Sequence, residues 1–190
     1  MSYFRSRRKG RVHVEMPAFS GLLIADLARQ LVELLSDGEP RADRAGDPFE
    51  QLVGLDSPRE PPTDPALLRL LPDGYRDEPD GAAEFRRFTE LGLRRSKIGD
   101  AQVVVATIGD VDQDGQEATL EFELSADEAR SWLRCLTDLR LTLAERLDVS
   151  ADDDEAMWLS LPDDDPRGAL YRIYGWLGYQ LEMLLEAVQK

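Results

Sequence analysis

Apolar residues along this chain recur with two periods, and the two periods divide it into helices and strands. The longest uninterrupted helical signal is Ser131–Val149, where Trp132, Leu133, Cys135, Leu136, Leu139, Leu143 and Leu147 fall on one stripe at about 100° per residue. Ser125 followed three positions later by Glu128 has the form of a capping box and opens that helix. A second core helix is expected over Phe19–Leu35, where Leu23, Ile24, Leu27, Leu31, Leu34 and Leu35 oppose Asp26, Arg29, Gln30 and Glu33. A third is expected over Gly81–Lys97, with Phe85, Phe88, Leu91 and Gly92 on its apolar stripe. A fourth starts at Asp165-Pro166 and runs to Val188, apolar over more than half its circumference. An arc that wide implies either a helix sandwiched between others or one shared in a homodimer.

Strict alternation marks two strands. Val12, Val14 and Met16 share one face of RVHVEM (11–16), and Ala118, Leu120, Phe122 and Leu124 share one face of EATLEFEL (117–124). Antiparallel pairing between them is the simplest way to satisfy both backbones. Ala101–Ile108 is ambiguous: its valines favour strand, but its position after a helix allows the helix to continue past Gly99, and helix is the expectation. Residues 37–80 shift to Pro, Gly, Asp and Arg and read as a loop-rich insertion holding two short helices, at 48–55 and 64–71, each opened by an Asp-Pro pair. The expected fold class is α+β: mainly α with a small two-stranded antiparallel β element, strands at about 11–16 and 117–124, in a single-domain helical bundle over 1–190.

Charge alters the picture in three places. The formal net charge of −15 over 190 residues argues against non-specific capture by DNA or an anionic membrane. Against that background Arg5, Arg7, Arg8, Lys9 and Arg11 form a basic arm, read as a solubilising tail or a contact for phosphate or an acidic partner. Arg86, Arg87, Arg94 and Lys97 form a basic face on the third helix, a candidate interaction surface for nucleic acid, for an acidic partner or for the protein's own carboxylates. Arg140 falls inside the apolar stripe of the central helix. It must snorkel or find a carboxylate, and Glu84, which projects toward an apolar stripe, is its candidate ion-pair partner.

Little catalytic chemistry is legible. DVDQDGQEATLE (110–121) matches a calcium-loop pattern through Asp110, Asp112, Asp114, Gly115 and Glu121. However, Glu117 occupies the position that wants an apolar residue and Glu121 lies inside a strand, so an Asp-Gly turn is the better reading and no metal is expected. His13, the one histidine, sits on the polar face of its strand. Cys135, the one cysteine, is a redox candidate by type but lies on the apolar edge of a mid-helix site, where a thiol is usually a small hydrophobe. No phosphate loop, dinucleotide fingerprint, zinc spacing or Ser/His/Asp arrangement appears, so neither a cofactor nor enzymatic activity is expected. The single cysteine and the lack of a signal-peptide or membrane-length apolar run predict a cytoplasmic protein.

Three segments carry a family resemblance: LLPDGY…AAEFRRFTELGLRRSK (70–97), SWLRCLTDLRLTLAERLDV (131–149) and LYRIYGWLGYQLEMLLEAV (170–188). Through Glu84-Phe85-Arg86-Arg87, Trp132-Leu133, Asp138-Leu139-Arg140-Leu141, Arg146-Leu147 and Trp176-Leu177 the chain resembles an actinobacterial family of unknown function that includes the oxidative-stress transcription regulator AosR. The resemblance implies a cytoplasmic, mainly helical, non-enzymatic regulator acting with a sigma factor and RNA polymerase; the wide apolar arc of the last helix leaves monomer or homodimer open. Thiol sensing within one subunit needs two cysteines, so any thiol switch through Cys135 would be intermolecular or act by sulfenylation. Alternative readings are a direct DNA-binding regulator using the basic arm and helix face, and a carboxylate-based metal-binding protein.

Overall fold

The computed structural model describes residues 2–37, 61–75, 78–109, 119–149, 158, 160–162 and 164–190. Its sheet is built around β2 (Val12–Pro17), whose Val12, Val14 and Met16 are fully buried. β3 (Thr119–Leu124) pairs with it antiparallel, Val12 opposite Leu124 and Val14 opposite Phe122, so the inward residues of both strands meet on one face. The expected pairing is therefore present, but the sheet has three strands rather than two. Residues Tyr3–Ser6 of the basic arm form β1, antiparallel to the other edge of β2 in the order β1-β2-β3. Phe4 anchors it, buried opposite Val14. The turn between β1 and β2 places Lys9 and Gly10 in the left-handed region, at φ 63° and 69°.

α1 (Ala18–Ser36) leaves β2 directly at Pro17 and buries Ile24, Ala25, Ala28, Leu31 and Leu35. Gly21 permits its close approach to the sheet, since a Cβ there would lie 2.6 Å from the Leu120 side chain. α2 (Pro65–Leu70) begins as its Asp-Pro pair requires: Asp64 accepts from the Ala66 N–H at 2.8 Å with Pro65 in the first turn. The other short helix expected in that region, at 48–55, lies outside the described residues.

α3 (Pro79–Ile108) is one continuous helix, and the valine run belongs to it. Ala101, Val104 and Ile108 are buried at helical spacing, so packing overrides the β preference of the valines. The helix stops where Gly109 takes φ 71°. α4 (Ala126–Leu147) opens on the full capping box, Ser125 and Glu128 bonding reciprocally, and ends on Asp148 at φ 54°. α5 (Pro166–Gln189) opens on Asp165, which accepts from the Arg167 N–H.

α4 is the scaffold: α3 packs along one side of it, α5 along another, and α2 against its C-terminal half, while α1 packs on α3 and β1 reaches α5. Trp132 of α4 is fully buried, its ring 5.7 Å from that of Phe122 and its Nε1 donating to Thr107 Oγ1 at 2.8 Å. Of the calcium-loop pattern, Asp110, Asp112 and Asp114 lie outside the described residues, and Glu121 is exposed on β3 opposite Glu15. Among the described residues no cluster of His, Cys, Asp or Glu suits a metal ion, and no helix is long and apolar enough to cross a membrane.

Candidate functional site

The basic face expected on α3 is turned largely inward. Arg94 is only 3% exposed and Arg86 is buried, whereas Phe88, placed on the apolar stripe by its spacing, is 67% exposed. The inversion has a local cause, because each of these cations meets acceptors from another element or one turn away. Arg86 pairs with Asp73. Arg94 pairs with Glu90 at 2.8 Å and donates through Nη1 to the Leu35 and Asp37 carbonyls at 2.7 and 3.0 Å. That guanidinium satisfies the C-terminus of α1, whose own last turn carries no basic residue. Lys97 donates to Asp138 of α4 at 2.6 Å. Arg87 is half-buried with its guanidinium 4.7 Å from the Phe88 ring centroid. The face is thus mainly a set of internal ties.

Between α3 and α4 these ties border a shallow cavity of about 330 Å³, lined by Leu93, Lys97, Asp100, Leu133, Arg134 and Asp138 among others. Asp100 takes a two-pronged contact from Arg134, with Nε and Nη2 each 2.7 Å from one carboxylate oxygen. Burial raises the Asp100 carboxyl, but hydrogen bonds from Arg134 and Ser131 outweigh it and hold the group below the ordinary aspartate range. Asp138 goes the other way. It is 4% exposed, its Oδ2 has no hydrogen-bond partner, and burial pushes its carboxyl up despite Lys97. Cys135 is fully buried beside them, and burial, with the charges of Asp138 and Asp100, pushes its thiol up to about 12. Such a thiol is a core hydrophobe at neutral pH and no nucleophile.

On the far side of α4, Arg140 faces α5. The expected tie to Glu84 is not formed: Glu84 is exposed on α3, whereas Arg140 packs against Tyr174 and Gly178 of α5. Arg140 instead stacks on Tyr174, its Cζ 4.8 Å from the ring centroid, with Nη2 donating to the Tyr174 hydroxyl at 3.3 Å. Its Nε is buried with no acceptor. Gly178, one turn beyond Tyr174, makes the room, because a Cβ there would stand 3.2 to 3.4 Å from the guanidinium. The aromatic row continues through Tyr171 to Trp158, the last two stacked at 5.0 Å and 5°.

Sequence reading thus singles out Arg140 but not its surroundings. Tyr171 and Tyr174, spaced i,i+3 on a helix of wide apolar arc, are the signal that could have located its neighbours. His13 sits on β2 between Arg5 and Glu123 in register, half-buried and far in sequence from either group just described.

Comparison with known proteins adds a family and two relatives. The profile of a family described as Domain of unknown function (DUF2017) matches residues 1–188. A protein of Mycobacterium tuberculosis H37Rv named Oxidative stress regulator AosR is 30% identical over 175 residues, covering 86% of this chain and 75% of its own length. The Mycobacterium bovis protein of the same name matches with the same identity and coverage. No solved structure matches.

Proposed function

The chain belongs to the DUF2017 family, and from that membership we propose that it is a non-enzymatic regulator of the oxidative-stress response that works by binding a protein of the transcription machinery, a sigma factor or RNA polymerase. The observation that carries this reading is the 30% identity, over 86% of the chain, to proteins named as oxidative stress regulators. The charge distribution supports a protein partner over DNA. The net charge is −15, and Arg86, Arg94, Lys97 and Arg134 are engaged with the protein's own acceptors. The protein acts in the cytoplasm.

Burial of Cys135, which pushes its thiol up to about 12, supports a response to oxidants that does not depend on a Cys135 thiolate. Purified core polymerase and individual stress sigma factors, titrated against the chain by biolayer interferometry, test the reading. Saturable binding to one of them is expected. Failure to bind any of them, under both reducing and peroxide-treated conditions, would remove its basis.

A further inference from the structure

We propose that the free edge of β3 is a docking site for an extended segment of a partner protein, one that alternates apolar and basic residues and adds to the sheet as a further strand. The inference deepens the regulatory reading above and rests on it for the identity of the partner. It begins from the backbone. The Arg7 N–H donates to the Arg11 carbonyl at 2.7 Å, in the same register that sets Arg5 opposite His13 and Tyr3 opposite Glu15. Hydrogen-bonded pairs alternate along an antiparallel ladder, so His13 and Glu15 direct their backbone groups to β1, and Val12, Val14 and Met16 direct theirs to β3. Leu124, Phe122 and Leu120 stand opposite and take those bonds. The N–H and C=O groups of Thr119, Glu121 and Glu123 therefore point away from the sheet, and no strand among the described residues meets them.

Side chains along this edge select what can pair with it. On the inward face Leu120 and Phe122 are only partly buried, whereas Val12, Val14 and Met16 of β2 and Phe4 of β1 are buried. The core is thus open on its β3 flank, and apolar residues of an added strand would close it. On the outward face Glu15 and Glu121 stand opposite each other in a non-hydrogen-bonded pair, the kind in which side chains approach most closely. Like charges so placed destabilise a sheet, and no cation among the described residues lies within ion-pair distance of either. Glu123 differs, being paired with Arg11. A lysine or arginine opposite Glu121 on the added strand would supply the missing charge, between two apolar residues opposite Leu120 and Phe122. A second copy of this chain is a poor occupant. Overlapping two β3 strands antiparallel sets Glu121 opposite Glu121 or Glu123, in chains that each carry a net charge of −15. The glutamates guard the edge against itself and leave it open to a cationic strand.

Two measurements test the site. In the first, the peptide acetyl-TVKVKVT-amide is added to isotope-labelled protein, with acetyl-TVEVEVT-amide as control, and amide exchange is followed by NMR. Glu121 and Glu123 report the outward N–H groups, and Leu120 and Phe122 report those already bonded to β2. The outward amides are expected to exchange freely in the protein alone. They should slow about tenfold at a lysine-peptide concentration about ten times the dissociation constant, itself of millimolar order. The inward amides should keep their rates, and the glutamate peptide should change neither set. Glu121→Lys is expected to shift the preference to the glutamate peptide. Glu121→Pro, which deletes one edge-facing donor and spares the bonds to β2, should weaken the lysine peptide. Each variant is first shown folded by its amide spectrum. Outward amides already protected in dilute protein would mean a covered edge and overturn the proposal, and protection that grows with protein concentration alone would reassign the edge to a second copy. No slowing up to about 20 mM lysine peptide, or equal slowing by both peptides, would also overturn it. In the second measurement, Glu121→Lys is expected to weaken binding to the polymerase or sigma factor by about tenfold or more. Unchanged affinity would overturn the docking site and leave the regulatory reading intact. If the wild-type chain bound neither protein, the regulatory reading would fall, and the peptide experiment would still decide the edge.

Discussion

Asp100 and Asp138 flank the same cavity, and their native environments push their acidities in opposite directions. For Asp100 the native carboxyl is held below its unfolded value. Its stabilising contribution is full above the ordinary aspartate range and is lost as the pH falls toward the depressed native value. For Asp138 the native carboxyl is raised. As the pH climbs from the unfolded value to the native one, the unfolded chain has released a proton that the folded chain still holds, so stability falls across that window and then levels. Urea unfolding at a series of pH values is therefore expected to show a decline starting at about pH 4 that Asp138→Asn removes. Asp100→Asn should instead remove part of the acid-side loss. A third residue is tested with a thiol reagent. Cys135, buried and raised to about 12, should resist Ellman's reagent in the native protein and react at once in guanidinium chloride.

At the scale of elements, α3 shows best what a pattern can and cannot convey. Local signals determine its neighbours well: the capping box at Ser125–Glu128, the Asp-Pro starts at 64–65 and 165–166, and the alternation of Val12, Val14 and Met16 all appear as expected. The faces of α3 were not legible, because a helix packed against both α1 and α4 buries more than one side. Its arginines are tolerated inside because acceptors meet them, and most of these, Asp73 for Arg86 and the Leu35 and Asp37 carbonyls for Arg94, come from other segments and leave no local trace. Arg94 is the case with most at stake, since it joins Glu90 to the C-terminus of α1. Arg94→Leu is expected to cost about 3 kcal/mol by denaturant unfolding. Glu90→Leu with Arg94→Leu should cost less than Arg94→Leu alone, because no carboxylate is then stranded by the loss of its cation. β1 was illegible for a different reason: four residues with a single inward apolar side chain, inside a run of arginines, carry too short an alternation to read as a strand.

For the whole molecule, the question is what the basic N-terminal residues are for. As a free tail or a phosphate-binding arm they would contribute nothing to stability, and their loss would weaken binding to DNA. In the fold they close the sheet. β1 covers one edge of β2, Phe4 is buried opposite Val14, the strand packs toward α5, and Arg11 pairs with Glu123 of β3 at 3.0 Å. Removing residues 1–7 would strip hydrogen-bond partners from β2 and open a phenylalanine-sized void beneath α5. The expected result is a loss of about 3 kcal/mol or more by chemical denaturation, with Phe4→Ala alone giving much of it. Because the net charge is −15 and Arg86, Arg94 and Lys97 are paired internally, neither the intact chain nor the truncated one should shift duplex DNA at low salt. A truncation that left stability unchanged but abolished a DNA shift seen with the intact chain would return the arm to a nucleic-acid role. A destabilised truncation with no DNA shift in either form would make it the edge of the core.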